Sequence, residues 1–346
     1  MTKILTTASA LALLAAAPVA AQLKVSAWGG FFEETLAAEI YPGFTAATGI
    51  EVESIAQPED TTWLQQISQG AMAGVAPTDL ALMTSVPLIQ GLETGVWMPL
   101  DADAMPNMAG LLPGKTFTAD SGDLIGVGAL GFFTTFVTNT NNTDFVPTSW
   151  ADLWSEDFDG KIAMLDISDS GMMEATAVTF FGGYEIMETE EGLQQVIDKI
   201  GELKPKISLW FQDEEQLQPA LAEGEYTAAV YYHDLIILST FDGAPLASHF
   251  PQEGGLASDA YWVVPAASTM SAEAQAFINY MSQPEVQAQM AYQMGIFPMV
   301  SQESMGMSDE DYALVGSAAE PIVVQTQIHL DNAAFIEEAW FKMVSE

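Results

Sequence analysis

The residues best equipped for chemistry stand where strand-like runs end. Trp28 closes the run Leu23 to Ala27 and precedes Gly29-Gly30, which sets a large aromatic face at a turn. Tyr231-Tyr232-His233-Asp234 ends a second run, and Ser258-Asp259-Ala260-Tyr261-Trp262 gathers aromatic rings and a carboxylate in a third. Asp166 to Asp169 brings acids after a fourth, and the apolar run Leu80 to Met83 opens onto the hydroxyls of Thr84-Ser85. Ring faces beside carboxylates attract an organic ammonium ion, because the ring quadrupole and the anion both favour positive charge, with about 1–2 kcal/mol per desolvated ring contact. Strand alternation equally allows Tyr231 and Trp262 to point into a core.

Catalytic patterns are harder to find. The sequence has no H-E-x-x-H, no G-x-S-x-G and no phosphate-binding loop, and His233, His249 and His329 are far apart along the chain. Zero cysteines exclude thiol catalysis, disulfides and thiolate metal sites together. No catalytic residue, no metal and no cofactor is expected, and an exported hydrolase is the minority reading.

Charge narrows the partner. The 346 residues include 47 Asp and Glu against 8 basic residues, all of them lysines, for a net charge of −39. A chain without arginine cannot neutralise a phosphate backbone, so nucleic acid and anionic membrane surfaces are excluded as partners. It also lacks the planar fork that grips carboxylates in pairs, which leaves cationic or neutral ligands. Most of the acids read as a solvated surface. At 49% hydrophobic residues the chain can build a substantial core.

Those residues need elements to position them. Residues 1–21 read as a secretory signal peptide, with Lys3 before the apolar stretch Ala8 to Ala17 and small residues at Val19-Ala20-Ala21. A soluble, periplasmic product follows from that reading. Beyond it, strands and helices alternate. Leu23 to Ala27 is a strand, then Phe32, Leu36, Ile40 and Phe44 mark a helix face stopped at Gly49, and Ile50 to Ile55 and Leu80 to Met83 are further strands. The later strands are expected at Phe132 to Thr138, Lys161 to Leu165, Ile207 to Phe211, Thr227 to Tyr232, Leu246 to Phe250 and Ala260 to Val264. The order implies two α/β units, each a mostly parallel sheet covered by helices, with ligand at the carboxyl ends of the strands between them.

Several segments then carry a resemblance. Pro147-Thr148-Ser149-Trp150-Ala151-Asp152-Leu153-Trp154 with Phe158-Asp159-Gly160-Lys161, Pro251-Gln252-Glu253-Gly254-Gly255, and Ala27-Trp28 with Phe44-Thr45-Ala46-Ala47-Thr48-Gly49-Ile50 are similar to motifs of the solute-binding proteins of polyamine (spermidine/putrescine) ABC transporters, in collinear order. The resemblance implies a two-lobed periplasmic-binding-protein fold of type II. Lobe 1 would span about 22–134 plus 258–305 and lobe 2 about 138–255 plus 307–346, with hinge crossings near 132–139, 253–258 and 305–308. It implies a monomer that captures a small cationic amine, most simply a polyamine, and hands it to a membrane permease. Trp28, Phe31, Asp169 and Tyr232 fall on the family's cleft positions, and Ser85, Asp234, Ser258 and Asp259 complete the expected ligand site. Departures are visible too. Ser258 and Ala260 stand where the family has tryptophan and aspartate, with Asp259 one place off, Ile296 stands at a cleft tyrosine with Phe297 beside it, and Met172 stands at an acid with Glu174 close by. Another amine, a zwitterion, or ferric iron held by Tyr231-Tyr232 are the alternatives, since phenolates are hard ligands.

Overall fold

A computed structural model describes residues 21–345 apart from 157, 159, 167, 169, 212, 213 and 318. The leader expected over 1–21, save its last residue, and the candidate Asp169 therefore lie outside the described residues. Among the described residues no helix is long and apolar enough to cross a membrane.

Among the described residues eleven strands form one connected sheet: β1 (Leu23–Trp28), β2 (Val52–Gln57), β3 (Leu80–Thr84), β4 (Thr116–Thr118), β5 (Leu124–Asn139), β6 (Ile162–Leu165), β7 (Ile207–Phe211), β8 (Ala228–Tyr232), β9 (Leu246–His249), β10 (Leu256–Val263) and β11 (Ile322–Val323). Its path runs β2-β1-β3-β10-β5-β8-β6-β7. The pairs β1/β2, β1/β3, β6/β7, β6/β8 and β10/β11 are parallel, whereas β5 lies antiparallel to β8 and β10, and β10 to β3. Helices cover both faces, as parallel strands buried on both sides require.

The apolar residues separate into cores on either side of the central pair. Leu23, Phe44, Leu82, Leu130, Ala260 and Phe277 belong to one, with Trp63, Ile67 and Val263 on the opposite face of the same strands. Phe136, Trp150, Met164, Val230 and Trp340 belong to another, with Val137, Phe211 and Tyr231 opposite. Strand β5 leaves the first core at Leu130 and enters the second by Phe136, and β10 makes the return between Leu256 and Ala260. The C-terminal passage comes later than 305–308. Met307 and Val315 still pack in the first core, and the chain reaches the second only at Ile322.

Local sequence explains the ends of these elements. Residues 31–48 run as one helical stretch whose middle, Leu36–Ile40, is a π turn. A wider turn keeps Leu36, Ile40 and Phe44, spaced four apart, on one buried face where a pure α-helix would drift. Gly49 ends the stretch in the left-handed conformation at φ +77°. The Trp150 segment and the Glu253 segment dock on each other: Trp150 Nε1 donates to Gly254 O at 2.9 Å, its backbone N–H to Glu253 Oε2 at 3.2 Å, and Ser149 with Asp152 forms a capping box.

The C-terminal return is held by a buried pair. Glu174 is fully buried, and its Oε1 accepts from His329 Nε2 and from the Gln325 backbone N–H, both at 2.8 Å. Removing the buried carboxylate takes away the acceptor shared by both donors. Glu174→Ala is expected to lower stability by about 3 kcal/mol, read as a lower urea midpoint with an unchanged slope.

Candidate ligand-binding site

The ends of β1 and β8 meet over the middle of β5. Trp28 is the last residue of β1 and Tyr232 the last of β8. Between them stands Phe132, whose ring centroid lies 5.8 Å from Trp28, edge-on, and 5.7 Å from Tyr232. Phe32 extends the row from the other side of Trp28 at 5.4 Å. Trp28, Phe132 and Tyr232 are all half-buried, which leaves part of each ring for a ligand. Sequence reading placed Phe132 in a strand without assigning it to the site; only its register, opposite Ser258 and two residues from the partner of Tyr232, reveals the face it shares.

One carboxylate fixes the head of this row. Asp60 opens the helix Asp60–Met72 and is buried. Its Oδ1 accepts from Trp28 Nε1 at 2.7 Å and from Gln57 Nε2 at 3.1 Å, and its Oδ2 accepts from the backbone N–H and hydroxyl of Thr84, both at 2.8 Å. Burial holds the Asp60 carboxyl above the ordinary range, against the pull of the hydrogen bonds from Thr84 and Trp28. Nothing in the composition marks Asp60 out from 46 other acids; its one signal is its place as the first residue of a helix that begins just after β2.

Other expected residues fall elsewhere. Ser258 pairs with Phe132 and shares its face. Asp259 pairs with Gly131 and so faces the other way, where both carboxylate oxygens lie 2.7 Å from Lys115 Nζ. The same lysine lies 5.8 Å from the centre of the Phe297 ring, and Phe297 packs on Phe133 at 5.5 Å. Asp259 is therefore a neutralised carboxylate on the back of the sheet, and strand alternation is the reason. Ser85 bonds to the Tyr261 phenol, which burial, then the nearby Asp259, pushes up to about 12. Asp234 packs beside Gly295, where an added Cβ would lie 3.2 Å from its Cα. Phe31 is exposed at the start of its helix, and its neighbour Phe32 is the ring that meets Trp28. Tyr231 is buried against Phe211, and its ring packs edge-on against that of Tyr232 with centroids 5.4 Å apart. Glu174 is committed to His329 and supplies no acid in place of Met172.

Residues 39–310 match the profile of the family described as bacterial extracellular solute-binding protein. The chain belongs to that family. A gamma-aminobutyric acid-binding protein of Pseudomonas aeruginosa is 27% identical over 236 residues, 65% of this chain and 63% of the relative. Spermidine/putrescine-binding periplasmic protein 1 of Haemophilus influenzae is 26% identical over 246 residues, 69% of this chain and 65% of the relative. The matches thus span somewhat under two thirds of these curated relatives. Among solved structures, MotA of A. tumefaciens B6 with glucopine has a TM-score of 0.78 at 22% identity, covering 93% of this chain and 99% of that one. The GABA receptor Atu4243 has a TM-score of 0.78 at 19% identity, covering 94% and 98%. Those likenesses establish the periplasmic-binding-protein fold for this solute-binding protein, and its family is not one of enzymes.

In this solute-binding protein the histidine that follows β8 ties that strand to the Leu314 segment. His233 Nε2 lies 2.8 Å from Leu314 O, and because a carbonyl only accepts, this nitrogen carries the proton. Nδ1 then accepts from the Ser248 hydroxyl at 2.8 Å. Burial lowers the pKa of His233, and likewise that of His249. A base with a depressed folded pKa binds fewer protons folded than unfolded, so its stability contribution is complete above about pH 6.5 and is lost as pH falls below it. The loss in stability between pH 7.5 and 5.5 is expected to be larger in the wild type than in the His233→Gln/His249→Gln variant, measured by urea unfolding at both values.

Proposed function

We propose that this chain is the substrate-binding subunit of an ABC importer, working outside the inner membrane as a monomer, and that its ligand is a small amine. The observation that carries the proposal is the half-buried row Trp28, Phe132 and Tyr232, an aromatic wall at the carboxyl ends of β1 and β8. Such a wall attracts an ammonium group, and the named relatives bind γ-aminobutyrate or spermidine and putrescine, all amines. The absence of arginine fits the same class. Bending would occur where the chain passes between cores, within β5 after Leu130, within β10 before Ala260, and between Val315 and Ile322.

Within the amines, a ligand with a single ammonium group such as γ-aminobutyrate is favoured over a polyamine. On the cleft face β10 presents the hydroxyl of Ser258, and its acid, Asp259, is turned away and paired with Lys115. A polyamine needs an anion for each further ammonium group; Ser258 instead suits the polar end of a shorter ligand. Polyamines are the second reading, supported by the spermidine/putrescine-binding relative.

Calorimetry with γ-aminobutyrate, putrescine and spermidine tests this directly. Binding of γ-aminobutyrate is expected to be tightest. Trp28→Ala should weaken it about 10–30-fold, the equivalent of roughly 1.4–2 kcal/mol, while Asp259→Asn should leave it within about twofold. Heat from none of the three would overturn the ligand class, and tightest binding by spermidine would favour the second reading.

A further inference from the structure

Asp60 does more than begin a helix. Its carboxylate joins the ends of three adjacent parallel strands: Trp28 of β1, Gln57 of β2 and Thr84 of β3. Trp28 and Gln57 are register partners, so both donors to Oδ1 approach from the same level of the sheet. Four donors converge on two oxygens, which suits an ionised carboxylate and no neutral group. A protonated Asp60 would have to donate, and among the four groups bonded to it only the Thr84 hydroxyl could accept, by giving up its own donation to Oδ2. Gln57 could accept only by turning its amide over, which would break the bond from its Nε2 to Leu82 O at 2.7 Å. The other titratable group influencing Asp60 is Glu59, which burial would raise but which the N–H groups of Thr61 and Thr62 hold below its ordinary range.

From this geometry we infer that Asp60 is a positioning residue for ligand capture: in its ionised form it fixes the plane of the Trp28 indole as the head of the aromatic wall and ties that plane to the end of β3. The inference rests on Trp28 contacting the ligand, as proposed above. An indole freed from Asp60 can rotate about its side-chain torsions, and a ring contact depends on which face it presents. Thr84 has no ring, yet through Asp60 its backbone takes part in setting that face.

The test combines a thermodynamic cycle with a spectroscopic titration. With γ-aminobutyrate as probe, Asp60→Asn and Trp28→Phe are each expected to weaken binding about tenfold, and Asp60→Asn in the Trp28→Phe background to cost less than about threefold more, since both remove one interaction. Wild-type affinity should fall between pH 7 and 5 with a step that Asp60→Asn lacks. Additive effects, or an unaltered pH step in Asp60→Asn, would overturn the inference. A ligand-free measurement separates this from the choice of ligand. The emission difference between wild type and Trp28→Phe isolates Trp28, and it should shift on acidification of the wild type. A Trp28 emission that stays constant from pH 7 to 4, in protein that remains folded by circular dichroism, would sink the role of Asp60 whether or not any amine binds and whether or not Asp60→Asn folds.

Discussion

The antiparallel pairing of β5 with β10 is the constraint on which the rest depends. These two strands pass through both sets of cores, and they do so side by side, with Leu256 opposite Thr134 and Ala260 opposite Leu130. Every other strand belongs to one side or the other. The pairing therefore fixes where the carboxyl ends of β1 and β3 stand relative to those of β6 and β8, and so where a cleft can be. It is close-packed at its centre. A Cβ added at Gly131 would lie 3.1 Å from both Met299 Cε and Phe297 Cδ1 and 3.2 Å from Asp259 Oδ1. Backbone hydrogen bonds between Gly131 and Phe297 in both directions hold that approach.

Parity along these strands decides which side chains face a ligand. Phe132 and Ser258 look one way, Gly131 and Asp259 the other. A shift of one residue would exchange a hydroxyl for a carboxylate in the cleft and place the Lys115 pair there as well. Instead the ion pair lies on the back, where Lys115 also reaches towards the Phe297 ring. The aromatic wall and the ion pair are thus two sides of the same two strands, and the chemistry of the cleft is set as much by what is turned away as by what is turned in.

Much of the frame was legible in the sequence. The strands at Ile207 to Phe211 and around Trp28 and Tyr232 stand within a residue of their expected bounds because apolar runs and flanking turns marked them. The first eight residues of β5 were not, since Gly126, Gly128 and Gly131 interrupt the pattern a strand normally shows; Gly128 is required there because a Cβ would lie 2.8 Å from Lys115 O. Strands β4 and β11 are too short to carry a period. Of the proposed site, Trp28 and Tyr232 were singled out by their positions at strand ends. Phe132 and Asp60 were not singled out because their places come from register, from ring contacts and from hydrogen bonds between segments 24 to 104 residues apart, which no local pattern encodes. Asp259 misled because its neighbour in sequence, not itself, faces the wall.

The segments that most resemble a transporter family, around Trp150 and Glu253, turn out to grip each other inside one half of the molecule, away from the aromatic wall. They are a joint in the frame and touch none of the rings over which a ligand would lie. On the proposed reading, recognition of cargo is left to a handful of side chains projecting from strands whose backbone is already secured. Replacing those few side chains would then redirect the protein to another cargo without renegotiating how the chain folds.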